Sequence, residues 1–170
     1  MYNYPYRYYQ WPSSQWSYYW DPRYYNWSYY APRPYHRDIV LQDYGSNPFV
    51  VDLKDAAEQN HNYRVALWSG HYFQLTLMSI KVGEDIGLEV HPATDQFIRI
   101  EEGKALVQMG DSQDHLDLQV MAYEGYAIIV PAGTWHNVTN TGNKPLKVSS
   151  IYAPPQHPFG TVEETKPLND

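Results

Sequence analysis

From Tyr63 to Ala153 the chain repeats one local pattern: short runs with apolar side chains at alternate positions, cut roughly every ten residues by a turn. Runs at 64–68, 72–80, 86–91, 96–101, 104–109, 116–121, 126–130, 135–140 and 146–153 read as strands. The turns fall at Ser69-Gly70, Val82-Gly83, Glu102-Gly103, Gly110-Asp111, Glu124-Gly125, Ala132-Gly133 and Thr141-Gly142. Many short strands at this spacing predict an all-β barrel or double-sheet roll. Ahead of them, residues 38–51 are expected to form an initial strand and turn. Asp52 is expected to cap a short helix over 53–59 that Asn60 stops.

The first 37 residues have a different composition. Twelve of the 18 tyrosines and four of the six tryptophans lie in residues 1–36, where aliphatic side chains are almost missing. Pro5, Pro12, Pro22, Pro32 and Pro34 interrupt every run, which removes regular helix and central strand as options. Residues 1–37 are therefore expected to be a disordered, low-complexity tail. They carry four Arg against one Asp, whereas residues 38–170 carry eight basic and 18 acidic side chains, a formal net of −10. A domain so acidic is a poor match for phosphates, so no nucleic-acid partner is expected. No stretch approaches the length of a membrane span, and no signal-peptide pattern opens the chain. With no cysteine, a metal site must be built from imidazole, carboxylate, amide or hydroxyl.

One segment is far more specific than the alternation. In GYAIIVPAGTWHNVTN, Gly125 is followed by Pro131, Gly133, His136 and Asn140. This resembles the second motif of the cupin superfamily, G-x5-P-x-G-x2-H-x3-N, at all five fixed positions. From average residue frequencies, a chance match is on the order of one in a few million per start position. The family's first motif, G-x5-H-x-H-x3-4-E-x6-G, has a degenerate counterpart upstream. Gly83 leads to Glu89, His91, Gln96 and Gly103 with the spacing kept. Glu89 stands in the slot of the first His and Gln96 in the slot of the Glu.

The resemblance implies a double-stranded β-helix, or jelly-roll barrel, over residues 63–160. Residues 38–62 would pack on it and 161–170 would form a C-terminal tail. It also implies a metal on Glu89, His91, Gln96 and His136. The strand period agrees: Glu89 and His91, two apart, share a face, and Gln96 shares one with Ile98 and Ile100. Two imidazoles, one carboxylate and one amide keep the formal ligand charge of a usual cupin site and suit Mn, Fe, Ni or Zn. If the metal is lost, Glu89 would instead pair with His91 or His136 as a buried polar group.

Weaker candidates surround this set. His71 and Gln74 precede the strand that leads to Gly83 and are either pocket-lining or structural. Trp135, beside His136, either walls the cavity or packs in the core. Tyr152 and His157, in IYAPPQHPFG, could form a lid, with His157 expected at the surface. The run IGLEVHPATDQFIRIEEG with VPAGTWHN and IYAPPQHP is similar to small bacterial cupins of the mannose-6-phosphate-isomerase-like kind. That likeness implies a small-molecule substrate such as a sugar or keto acid, isomerase or lyase chemistry, a cytoplasmic location and, as in many such barrels, a homodimer. Glu89, if it is not a ligand, would be the general base. The alternative is non-catalytic. The tail resembles Tyr-rich segments of spore-coat proteins, so the barrel would be a scaffold and the tail would contact other coat or matrix proteins.

Overall fold

Alternating burial folds the sequence into nine strands and one short helix, in a computed structural model that describes residues 38–167. The helix, α1 (Leu53–Gln59), begins where the Asp52 carboxylate accepts the Asp55 amide at 3.2 Å and ends at Asn60. The strands are β1 (Arg64–Ser69), β2 (Gln74–Ile80), β3 (Asp95–Glu102), β4 (Lys104–Gly110), β5 (Leu118–Tyr123), β6 (Ala127–Val130), β7 (Trp135–Asn140), β8 (Leu146–Ala153) and β9 (Val162–Glu163). They form a six-stranded sheet in the order β6-β3-β8-β2-β1-β9 and a three-stranded sheet in the order β5-β4-β7. All the ladders are antiparallel. Among the described residues, no helix is long and apolar enough to cross a membrane.

The strand period sets two cores. Inward side chains of both sheets, including Met78, Ile80, Ile98, Ile100, Val107, Val138 and Val148, form the main one. The opposite face of β1 and β2 supplies Val65, Leu67 and Leu77, which Ala56 and Ala57 of α1 cover. Ile39, Leu41, Tyr44 and Phe49 pack against the same cluster. The lead-in chain thus serves as a lid on the outer face of the larger sheet.

Two expectations from the sequence are corrected. Residues 38–51 contain no strand. An Asp43 side chain accepting the Gly45 amide, a positive φ at Gly45 and the stacked rings of Tyr44 and Phe49 fold them locally, with Tyr44 alone bonding back to Leu67. The segment 86–91 is not a ladder strand either. Asp85 accepts the Gly87 amide at 3.0 Å, Gly87 has φ 92°, and only isolated bridges join Asp85 to Thr139 and Glu89 to His136. Within the C-terminal tail expected over 161–170, Val162–Glu163 form a short strand. β9 pairs with β1, Arg64 bridges Glu163 at 2.7 Å, and Lys166 reaches Asp85 at 2.5 Å. The aromatic segment 1–37 and residues 168–170 lie outside the described residues.

Asn140, the last fixed position of the second motif, is an architectural hub. It is buried, its amide donates to the carbonyls of Ile80 and Lys144, both at 2.9 Å, and its oxygen accepts the Gly142 amide at 2.9 Å. Replacing it strands the buried Ile80 carbonyl, at ~1–3 kcal/mol when left unmade, and the partly buried Lys144 carbonyl and Gly142 amide at less. Asn140→Ala is expected to destabilise the fold by about 3 kcal/mol, read as a lower urea midpoint at unchanged slope. A midpoint equal to wild type would show that the hub is dispensable.

Candidate metal centre

The site begins with a backbone exchange. Glu89 and His136 trade hydrogen bonds, N–H to carbonyl, at 3.0 and 2.9 Å, which brings the two motif halves side by side. The Gly133 amide, in a turn that needs its φ of 80°, then donates to the His91 carbonyl at 2.9 Å. Side chains follow from these anchors. Glu89 Oε1 lies 3.3 Å from His91 Nε2 and 3.4 Å from His136 Nε2. The three ligating atoms all fall within 4.8 Å of one another. His91 and His136 are buried, and their ring centroids are 5.5 Å apart.

Protons are assigned by the neighbours. His136 Nδ1 lies 3.0 Å from the Thr134 carbonyl, which can only accept, so Nδ1 carries the hydrogen and Nε2 presents a lone pair inward. That Nε2 is buried and has no hydrogen-bond partner. Gln96, buried on the inward face of β3, donates its amide nitrogen to Ser150 Oγ at 3.0 Å. Its buried Oε1 is likewise left without a partner. Lone pairs on a half-buried carboxylate, a buried imidazole and a buried amide oxygen are unfavourable company unless a cation is among them. The residues present therefore fit a divalent ion, with nitrogen and oxygen donors and Ser150 and Thr134 orienting two of them.

Electrostatics follow the same geometry. Burial pushes the Glu89 carboxyl up, but the imidazoles of His136 and His91 beside it outweigh that and hold the group at about 2. Tyr152, fully inside beside Gln96 and Gln74, has its phenol pushed up to about 12 by burial and by the Glu89 charge. It stays protonated and donating at neutral pH. Arg64 of β1 bears on both Tyr152 and Glu89 from the same interior.

The other expected pocket residues separate. Gln74 is buried next to the site, but its amide is committed: the nitrogen donates to Ser69 Oγ at 2.8 Å and to the His157 carbonyl at 2.9 Å, while the oxygen accepts the His157 amide at 2.9 Å. It positions the chain after β8. His71 does not line the pocket: it is exposed in the β1–β2 turn, edge-on to Tyr72. Trp135 is half-buried and precedes His136 in β7, so it projects from the opposite face of the strand, outside the pocket. His157, expected at the surface, is half-buried. Its ring packs edge-on against Tyr152 at 4.9 Å, and its Nε2 is buried without a partner. Sequence reading missed Ser150 and Arg64 as well. The signal was available in β8, where Ser150 and Tyr152 break an otherwise apolar inward row.

The family model described as cupin domain matches residues 76–152. The uncharacterized protein YrkC of Bacillus subtilis (strain 168) is 62% identical over 130 residues, 76% of this chain and 70% of YrkC. The uncharacterized protein L612 of Acanthamoeba polyphaga mimivirus is 39% identical over 120 residues, 70% of this chain and 73% of L612. The crystal structure of BH2720 from Bacillus halodurans has 62% identity and a TM-score of 0.74, covering 74% of this chain and 96% of that one. The class defined is a jelly roll with a buried His/Glu cluster able to hold a metal. The chain belongs to the cupin domain family.

Burial also gives the pocket wall a pH signature. His157 is held at about 4, below its ordinary 6.5, first by burial and then by Arg64, with Glu89 pulling the other way and His91 adding to the depression. The folded state thus refuses a proton that the unfolded chain accepts. This contribution is complete above pH 6.5 and is lost progressively as pH falls from 6.5 through 4. The urea midpoint of wild type is expected to drop more between pH 7.5 and pH 5 than that of His157→Gln. Parallel drops in the two proteins would show that His157 does not carry the effect.

Proposed function

We propose that this cupin holds one divalent metal ion, Mn, Fe, Ni or Zn, on Glu89, His91, Gln96 and His136, and acts on a small polar metabolite such as a sugar or keto acid by isomerase- or lyase-type chemistry. The observation that carries the reading is the cluster of Glu89, His91 and His136, whose ligating atoms lie within 4.8 Å of one another, together with buried unpartnered acceptors on His136 Nε2 and Gln96 Oε1. A bound ion would act as a Lewis acid on a substrate carbonyl. The chain's own side chains would do the rest. Glu89 at about 2 is a poor proton acceptor at neutral pH, which favours it as a ligand over a general base. Tyr152, protonated, would donate to a substrate oxygen. The likeness to small mannose-6-phosphate-isomerase-like cupins supports a sugar-type substrate, and a homodimer and a cytoplasmic location accompany that reading.

Elemental analysis of the purified full-length chain tests it. Wild type is expected to hold close to one ion per chain. Glu89→Ala and His136→Ala should lose it while keeping the fold by circular dichroism, and Gln96→Ala should bind more weakly, by roughly tenfold for one neutral donor. Metal-free wild type that takes up none of the four ions would refute the proposal.

A second reading rests on composition: the tyrosines and tryptophans gathered in residues 1–36 suit adhesion and oxidative cross-linking of a coat or matrix protein. In that case deletion of residues 1–37 should abolish assembly or coat localisation and leave metal content unchanged. Unaltered assembly would count against it.

A further inference from the structure

Beyond the metal donors, one chain segment closes over the site. Residues 153–160 leave β8 and fold back across the larger sheet. Gln74 clamps them by two hydrogen bonds to the His157 backbone, Thr94 Oγ1 meets Gln156 Oε1 at 3.2 Å, and the Gly160 amide donates to Asp43 at 3.0 Å. The clamp is itself braced. Gln74 donates to Ser69, which donates to the same Asp43 carboxylate oxygen at 2.5 Å. A backbone held at this many points fixes the His157 ring. It sits edge-on to Tyr152 at 4.9 Å and 86°, and Tyr152 sits edge-on to His91 at 5.6 Å and 83°. The ring therefore belongs to the same wall as the metal donors, within electrostatic reach of Glu89, His91 and Arg64.

We propose that His157 is a substrate-contacting residue of this pocket, whose Nε2 hydrogen-bonds an oxygen of the small ketose or keto acid held at the centre. This rests on the reading given under Proposed function and names a residue outside the donor set. The geometry supplies three grounds. Nε2 is buried and has no hydrogen-bond partner among the described residues, a costly state for a polar atom that a ligand oxygen would relieve. The segment carrying it is pinned by buried Gln74, so the ring is set in place before a ligand arrives and little ordering remains to be done on binding. And the ring is neutral at physiological pH, so it adds directional hydrogen bonding without placing a second cation beside Arg64. Gln74 acts through His157 as a positioning residue.

The test uses the full chain loaded with the metal it retains, and two probes: pyruvate, the simplest keto acid, and dihydroxyacetone, the simplest ketose. Affinity is measured by calorimetry and the His157 ring is followed by 15N NMR. In wild type the Nε2 resonance should move when one probe is added. His157→Phe keeps the ring packing on Tyr152 and should weaken that probe by about tenfold with metal content unchanged, the scale of one lost hydrogen bond. His157→Gln, which can still offer one hydrogen bond, should recover most of that affinity. An Nε2 resonance unmoved by a bound probe overturns the contact whatever the variants do, as does equal probe affinity in wild type and His157→Phe. Either result leaves the metal reading standing. Metal-loaded wild type that binds neither probe removes the substrate class and this contact with it. A chain that takes up no metal removes both proposals at the earlier step.

Discussion

Two backbone hydrogen bonds between Glu89 and His136 hold the functional half of this molecule together. They join residues that are far apart in sequence and fix the pitch at which their side chains enter the interior. Because the exchange is isolated and not part of a longer ladder, it needs support on both sides. Ile86 gives its amide to Val138 on one side, and Gly133 gives its amide to His91 on the other. His91 and His136 then converge on one carboxylate oxygen with no freedom to splay apart. The donor cluster is a consequence of strand geometry, with side-chain rotamers choosing only the last ångström.

Strand positions were readable in the sequence wherever alternation was strong. The runs that became β1, β3, β4, β7 and β8 are bounded by Gly-containing turns, and their inward residues follow period two. Two segments misled because local side-chain bonding beat the pattern. Asp85 turns its own chain at Gly87, and Asp43 does the same at Gly45, so alternating apolar residues on either side never extend into ladders. The two-residue β9 carries no periodic signal at all, and only its pairing with Arg64 and Val65 defines it.

The site was legible to a different degree. Spacing located the cluster of Glu89, His91 and His136, since two-residue steps and fixed turns dictate which side chains share an interior. What spacing could not supply was orientation: Ser150 turning the Gln96 amide, or Thr134 setting the His136 tautomer. His71 and Trp135 were weaker candidates for the same pocket, and a turn exposes the first while strand parity turns the second outward. His157 went the opposite way. A Pro-rich run reads as surface, but buried Gln74, far off in sequence on the strand paired with β8, draws it inward.

The hub at Asn140 has a bearing on how signatures of this kind are interpreted. It lies in the same motif as His136, but its partners are Ile80, Gly142 and Lys144, none of them a donor to the cluster. Gly125 and Gly133 likewise serve turns. At least three of the five matched letters thus vouch for the architecture and a single one for reactivity. A relative could keep the whole string save His136 and remain well folded yet inert, so a fingerprint match certifies the vessel before it certifies the contents.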